Sequence, residues 1–182
     1  MDFVMSAIKN TNFAVELKDW IEAIAVGFMI ACVIHAFIAE LFIVDGSSMN
    51  PTLQSEERVL VSKFPYFLDK PQKNDIIVFE TKYGDQSRHL IKRIIATGGD
   101  TIEIRSNKVY VNDQVLDEDY ILEATKTDYP KTTVPEGTVF AMGDNRNNSL
   151  DSRFSIVGFV KLSDISGRAD AVIWPLPQAR KF

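Results

Sequence analysis

The sequence is poor in the residues that build metal sites and disulfides. Its 182 residues include one cysteine, Cys32, and two histidines, His35 and His89. A single cysteine can form neither an intrachain disulfide nor a cysteine-based zinc site. Basic residues are also in the minority, since 20 Lys and Arg stand against 25 Asp and Glu for a net charge of −5, and no run of Lys or Arg occurs. The sequence therefore offers no electrostatic match to a phosphate backbone, and we expect no nucleic-acid partner.

One long apolar run lies near the amino end. Residues 23–44 contain two strongly polar side chains, His35 and Glu40, and a helix of 22 residues extends about 33 Å, close to the roughly 30 Å of a bilayer core. The run predicts a transmembrane anchor. A buried core helix and a cleaved signal peptide are the alternatives, but no Ala-x-Ala cleavage pattern follows Ala36. We place Glu40 at the outer interface and assign no catalytic role to it or to His35.

Basic residues set the expected orientation of this anchor. Lys9, Lys18 and the terminal amine precede the run, whereas Arg58 is the first basic residue after it. Because the flank richer in Lys and Arg stays inside, residues 1–22 are expected in the cytoplasm and residues 45–182 outside. The chain would then cross the cell membrane once, with the lipid bilayer as a partner.

Residues 45–182 have the pattern of a mainly β domain. The stretch TIEIRSNKVYVND, residues 101–113, alternates apolar and polar residues on two arms with Ser-Asn between them, which predicts a hairpin. Further β-rich runs are RVLVSK, DIIVFE, HLIKRIIAT, TVFAMG and DAVIWP. We therefore predict a curved antiparallel β-sheet domain with little helix outside the anchor. The aromatic cluster at residues 64–68 would either contact the membrane interface or cap the domain core.

A serine pair follows the apolar run in DGSSMNPTLQ, residues 45–54. Serine is a weak nucleophile and needs a base within hydrogen-bond reach. His89 and Lys92 are the candidates, because His35 lies in the apolar run. An unperturbed lysine is neutral in only about one copy in 2,500 at pH 7, but burial in the apolar strand LIKRII would lower the pKa of Lys92. From the residues alone, an exposed surface lysine is the commoner case.

Three extended motifs follow the predicted anchor in order. They are GSSMNPTL from residue 46, LIKRIIATGGD from residue 90 and MGDNRNNSLDSR from residue 142. Together they resemble the bacterial type I signal peptidases, membrane serine proteases that use a Ser-Lys dyad. The resemblance extends over nearly the whole chain. It implies an endopeptidase that removes signal peptides from exported preproteins and requires no metal ion or organic cofactor.

The resemblance assigns roles to residues in each motif. Ser48 corresponds to the nucleophile and Lys92 to the general base, with Ser47 a bystander. Ser149 corresponds to a serine that hydrogen-bonds the lysine amine. Gly46 stands where some members have a serine in the oxyanion hole, so the hole would rely on backbone N–H groups, including that of Ser48. The charged and amide framework under the site would comprise Asp144, Asn145, Arg146, Asp151 and Arg153.

The resemblance also implies a substrate and a layout. The cleft would take the preprotein as an extended strand with small side chains at positions −1 and −3. Residues 101–138 would form a small insert lobe, a short form of the family's second lobe. Three alternatives are a self-cleaving Ser-Lys protease, a noncatalytic membrane-anchored secretion module and a Ser-His peptidase. The self-cleaving protease would have a cleavable linker or DNA-binding helices before Ser48. The noncatalytic module would not need the serine and lysine residues together. The Ser-His peptidase would have histidine in place of Lys92.

Overall fold

A long helix makes up the amino-terminal part of the chain. The computed structural model describes residues 2–37, 39–63, 66, 70–83 and 86–182, and the chain divides into two compact units, Met1–Ile38 and Ala39–Phe182. Helix α1 spans Asp2–Phe37 and so begins well before the predicted anchor. No helix within these ranges combines the length and hydropathy that a membrane span requires, so the predicted transmembrane helix is not confirmed. The side chain of His35 lies outside the described residues.

The second unit is built from β-strands. In the part of the chain that the structure describes, it also contains two short 3-10 helices, Leu162–Asp164 and Leu176–Gln178. The strands are β1 Ala39–Ile43, β2 Arg58–Ser62, β3 Ile76–Tyr83, β4 Gln86–Thr97, β5 Thr101–Arg105, β6 Lys108–Val111, β7 Gln114–Val115, β8 Tyr129–Thr133, β9 Thr138–Met142, β10 Val160–Lys161, β11 Ile165–Trp174 and β12 Arg180–Lys181.

These strands pair into two antiparallel sheets. The larger sheet has the order β1-β2-β11-β3-β4-β9-β10, with β12 paired to β11. The smaller sheet has the order β7-β6-β5-β8. Each of the five β-rich runs marked in the sequence contains or overlaps a strand of the larger sheet, and the mainly β, antiparallel class is confirmed.

Strand β1 occupies residues that the prediction assigned to the anchor. The predicted anchor extends to residue 44, but Ala39–Ile43 pairs along its whole length with β2. Leu41 and Ile43 are exposed, whereas Phe42 packs against a core cluster. The compact β unit therefore begins at residue 39 rather than 45. The sequence pattern conceals this change because the strand AELFI is largely apolar and continues the composition of the helix before it.

The predicted hairpin is present as β5 and β6. Ile102 lies opposite Val111, and both are buried. Between the strands, Ser106 and Asn107 have φ angles of 50° and 64°. Two consecutive residues with positive φ form the tight turn whose twist matches that of paired antiparallel strands, which explains the short Ser-Asn connection.

The aromatic segment at residues 64–68 is described only at Tyr66. The Tyr66 hydroxyl donates a hydrogen bond of 2.9 Å to Asp75 Oδ2. The choice between a lipid contact and a core cap for the whole segment therefore lies outside the described residues.

The two sheets share a hydrophobic core. Ile102 of the smaller sheet belongs to the same buried cluster as Ile95 and Phe140 of the larger sheet. Phe140 is fully buried, and its ring centroid lies 4.9 Å from that of Tyr129 and 6.0 Å from that of Phe159. The smaller sheet, which falls within the predicted insert of residues 101–138, is thus part of one compact unit with the larger sheet.

Replacing Phe140 with Ala tests this shared core. The substitution removes a fully buried ring from between two aromatic neighbours, and we expect it to lower the free energy of unfolding by about 3–5 kcal/mol. Urea unfolding followed by tryptophan fluorescence measures the loss. Val115→Ala, at an exposed position of β7, is the matched control and should change stability by less than about 0.5 kcal/mol. A loss below 1 kcal/mol for Phe140→Ala would contradict the shared core.

Candidate active site

The serine pair lies in the loop that connects β1 to β2. A backbone hydrogen bond of 2.9 Å from the Val44 N–H to Glu57 O closes the base of this loop. Met49 and Leu53 are fully buried and fix the middle of the loop in the hydrophobic core. Ser48, directly before Met49, is left half-buried at the surface of the core.

Gly46 sets the course of the chain before Ser48. Its φ of +91° lies in the left-handed region that favours glycine. Its N–H donates to Ser55 Oγ at 3.3 Å. The N–H of Ser48, by contrast, donates to no acceptor among the described residues. The loop therefore leaves this N–H available as a hydrogen-bond donor.

Lys92 reaches the nucleophile loop from β4. Its Nζ lies 2.8 Å from Ser48 Oγ and 2.7 Å from the backbone oxygen of Ile91. The residue is only 2% exposed, and this burial lowers the pKa of the Lys92 amine to about 8, although the carboxylates of Asp151 and Asp144 act in the opposite direction. About a tenth of the amines are then neutral at pH 7.

Strand β4 directs consecutive side chains to different parts of the site. Lys92 lies opposite Ile77 of β3, and Arg93 lies opposite Met142 of β9. Because side chains alternate along a strand, the two basic groups point to opposite faces. β9 pairs with β4 only from Arg93 onward, so within the described residues the preceding part of β4 pairs with β3 alone.

Arg93 forms a buried ion pair with Asp144. The guanidinium contacts the carboxylate through Nε to Oδ1 at 2.9 Å and Nη2 to Oδ2 at 2.7 Å. The Thr52 hydroxyl donates to the same carboxylate at 2.5 Å. Asp144 has no exposed surface, so this bidentate pairing is what compensates its charge in the interior.

A second buried ion pair joins Asp151 and Arg153. Both contacts, Nε to Oδ1 and Nη2 to Oδ2, measure 2.8 Å. Asp151 Oδ2 also accepts the Gly143 N–H at 3.0 Å, and Arg153 Nη2 donates to the backbone oxygen of Arg146 at 2.6 Å. The pair therefore fixes the backbone of the loop that follows β9.

Asn145 joins that loop to the serine loop. Its N–H donates to Ser48 O at 3.0 Å, and its Nδ2 donates to Ser47 O at 3.1 Å. Asn148 Nδ2 donates to Ser47 Oγ at 2.9 Å. The hydroxyls of the serine pair thus face different partners, since Ser47 contacts an asparagine and Ser48 contacts Lys92.

Ser149 has a different environment from the one that the resemblance implies. Its Oγ is buried and has no hydrogen-bond partner among the described residues. The two acceptors of the Lys92 amine are Ser48 and Ile91, so the implied hydrogen bond from Lys92 to Ser149 is not formed in this structure. Ser149 Oγ instead lies close to Gly143, where any Cβ would collide with it.

Two residues that the sequence analysis did not assign contact the charged framework. Glu118 Oε1 lies 2.6 Å from Arg146 Nη2. The ring of Tyr120 lies under Arg93, with 4.0 Å from the guanidinium carbon to the ring centroid. The stretch DEDYILE around them has no motif or periodicity that indicates a site, because their partners lie far away along the chain.

A small groove of about 120 Å³ lies beside Ser48 and Lys92. His89 lies along it, and its ring centroid is 5.5 Å from that of Phe42. Among the described residues, no three His, Cys, Asp or Glu side chains lie close enough together to bind a metal ion. Asp45 also lines the groove, but most of the wall is apolar and is formed by Phe42, Ile43, Val44, Val78, Leu90 and Ile91.

The chain is similar in sequence to known proteins. Residues 17–174 match the family model described as signal peptidase, peptidase S26. The chain is 33% identical to signal peptidase I of Bacillus licheniformis over 97% of this chain and 99% of that protein, and 34% identical to signal peptidase I S of Bacillus subtilis (strain 168), with coverage of 95% and 97%. The solved structure of a signal peptidase I from Enterococcus faecalis V583 is 35% identical, covers 55% of this chain and 97% of that one, and gives a TM-score of 0.48.

Replacing Gly143 with Ala tests the close approach of the two loops. A Cβ at this position would collide with Ser149 Oγ and with the backbone oxygen of Ser48, so we expect a loss of about 1–3 kcal/mol in the free energy of unfolding. Urea denaturation measures it. Gly27→Ala adds the same methyl group where no atom lies within 4 Å, and because it lies inside helix α1 it should raise stability by up to about 1 kcal/mol rather than lower it. Wild-type stability for Gly143→Ala would show that the loops can separate freely.

Proposed function

We propose that this chain, which belongs to the signal peptidase family, peptidase S26, cleaves signal peptides from preproteins with Ser48 as nucleophile and Lys92 as general base. The family match covers residues 17–174 and makes the protein a serine endopeptidase. The alternative of a noncatalytic secretion module is therefore discarded.

The observation that supports the dyad most directly is the 2.8 Å separation of Lys92 Nζ and Ser48 Oγ. This is a hydrogen-bond distance at which a neutral amine can accept the serine proton. His89 is the other candidate base from the sequence, but it is exposed and its ring lies against Phe42. The buried lysine therefore fits the role better than the histidine.

In the proposed acylation step, Ser48 Oγ bonds to the scissile carbonyl carbon while the neutral Lys92 amine removes its proton. The available N–H of Ser48 would donate to the oxyanion that forms. The scissile C–N bond then breaks, and Lys92 passes the proton to the leaving amine of the mature protein. An ester between Ser48 and the signal peptide remains.

Deacylation would use the same lysine with water. Lys92 takes a proton from the water as its oxygen bonds to the ester carbonyl, and the C–O bond to Ser48 then breaks. Ser48 regains a proton from Lys92, and the signal peptide leaves as a carboxylic acid. We assign Ser149, whose buried Oγ has no partner among the described residues, as the hydroxyl that hydrogen-bonds the protonated Lys92 amine during this cycle.

The substrate would bind as an extended strand beside the dyad. The part of β4 before Arg93 pairs with β3 alone within the described residues, and a peptide could hydrogen-bond to its other edge. The adjacent groove holds only about 120 Å³ and is mostly apolar, which suits small side chains at positions −1 and −3 of a preprotein. Larger side chains would require the wall residues to move.

Membrane anchoring completes the proposal. The apolar composition of residues 23–38, which precede β1, and the basic residues before them support a single anchor, with the amino terminus in the cytoplasm and the β unit outside. A tethered enzyme would meet substrates that are held in the same bilayer by their own apolar segments. Confinement of both partners raises their effective concentration.

Dyad variants test the assignment of the two catalytic groups. We expect Ser48→Ala and Lys92→Ala each to lower kcat/KM by about 10⁴-fold or more, because each removes a group that acts in the transition state. Cleavage of a fluorescent preprotein by the full chain in detergent measures this. Ser47→Ala is the matched control, since the Ser47 hydroxyl contacts Asn148 rather than Lys92, and it should retain most of the activity. An essential Ser47 or a dispensable Lys92 would contradict the assignment.

The pH dependence of kcat/KM tests the state of the base. Only the neutral amine can accept a proton, so a pKa of about 8 for Lys92 predicts that kcat/KM rises with pH through about 8 and is level above it. Initial rates of cleavage between pH 6 and pH 10.5 measure this rise, which we call the limb of the pH profile. A limb near pH 6.5 would instead indicate a histidine base, and one near pH 10.4 would indicate an exposed lysine.

A further inference from the structure

The segment between β7 and β8 covers the charged framework on the side of the smaller sheet. We call residues 116–128 the strap. Its residues are tied to the loop after β9 by hydrogen bonds, which are Leu122 N–H to Asp144 O at 3.3 Å, Lys126 N–H to Asn147 Oδ1 at 2.9 Å, Asn147 Nδ2 to Ala124 O at 3.0 Å and Arg153 Nη1 to Thr125 Oγ1 at 3.0 Å.

Without the strap, the charged framework has one more buried guanidinium than it has carboxylates. Arg93, Arg146 and Arg153 bring three guanidinium groups into the interior, whereas Asp144 and Asp151 bring two carboxylates. The two carboxylates are each bonded bidentately to an arginine, which leaves the third guanidinium without an anion. A buried, uncompensated cation is strongly unfavourable.

Glu118 of the strap supplies the third carboxylate. Its Oε1 lies 2.6 Å from Nη2 of Arg146, and the two side chains are only 9% and 0% exposed. At this hydrogen-bond distance the Glu118 carboxylate is the anion that compensates the Arg146 guanidinium, and against the opposing effect of burial it raises the pKa of Arg146. The Tyr120 hydroxyl donates to Glu118 Oε1 at 3.3 Å.

Arg146 in turn contacts the backbone that faces the serine loop. Its Nε donates to Gly143 O at 3.1 Å, and its own carbonyl oxygen accepts from Arg153 Nη2 at 2.6 Å. Gly143 lies directly against Ser149 Oγ and Ser48 O. A displaced Arg146 would therefore move the loop that touches the nucleophile.

We propose that Glu118 is a positioning residue for the catalytic dyad, which acts by compensating Arg146 and so holding the loop after β9 against the Ser48 loop. The proposal rests on the proposed function of Ser48 and Lys92. The strap then has a part in catalysis although none of its residues is assigned to contact the substrate.

The charges near Lys92 give this role a measurable signature. Asp151 and Asp144 are the carboxylates that favour the charged form of Lys92, and each is paired with an arginine. Loss of the Glu118 charge leaves an extra positive charge in the same framework. Positive charge disfavours protonation of the amine, so the limb of kcat/KM should move to lower pH.

Glu118→Gln tests the proposal, because it keeps the shape and removes the charge. In the full chain with a preprotein substrate, we expect kcat per folded enzyme to fall by about tenfold to a hundredfold with KM nearly unchanged, and the pH limb to move to lower pH. Glu118→Asp, which restores the charge, should return the limb to its wild-type position. Asp128→Asn is the matched control, since Asp128 is an exposed carboxylate of the same strap, and it should leave kcat and the limb unchanged.

Several outcomes would overturn the proposal. Wild-type kcat and an unmoved limb in folded Glu118→Gln, even with lowered thermal stability, would make Glu118 a structural contact only. An equal shift for Asp128→Asn would indicate a general charge effect. If Glu118→Gln does not fold, the double variant with Arg146→Met removes both buried charges. Its limb should lie at the wild-type pH, although kcat falls because the bond from Arg146 Nε to Gly143 O is lost. A displaced limb would contradict the charge argument. Full activity of Ser48→Ala or Lys92→Ala would instead refute the dyad itself.

Discussion

A lysine amine held in the protein interior is the constraint on which the rest of this site depends. Lys92 is 2% exposed, and an ammonium group removed from water must be compensated or lose its proton more readily. Burial outweighs the two nearby carboxylates and brings the pKa to about 8. Because the amine lies 2.8 Å from Ser48 Oγ, the same burial that is unfavourable for a charged lysine would make it a usable base at moderate pH.

The buried charges around the amine can be understood from the same constraint. Asp144 and Asp151 would favour protonated Lys92 strongly if they were unpaired, but Arg93 and Arg153 bind them in bidentate fashion. Arg146 completes the arrangement through its contacts with Gly143 and with Glu118 of the strap. The framework thus holds the loop after β9 in place and also limits how far the carboxylates oppose the effect of burial.

Features built from residues close together along the chain were predictable from the sequence, whereas contacts between distant residues were not. The β5–β6 hairpin was predictable because its alternation and its Ser-Asn turn lie within 13 consecutive residues. The pairing of Ser48 with Lys92 came from the family resemblance, since nothing local joins the two residues. Strand β1 was missed because it continues an apolar run without a break. Glu118 was missed because its proposed role depends on its contact with Arg146, which lies in another loop. The implied contact of Ser149 with Lys92 depends on side-chain placement that no motif specifies.

Direct titration of the Lys92 side chain is the measurement that tests this account most closely. With lysine labelled with ¹³C at Cε in the full chain, Lys92→Arg assigns the signal by its disappearance, and its chemical shift is followed from pH 6 to pH 11. The account predicts a midpoint near pH 8, well below those of the other lysines. A midpoint at about pH 10.4, shared with the exposed lysines, would contradict the claim that burial makes Lys92 a base.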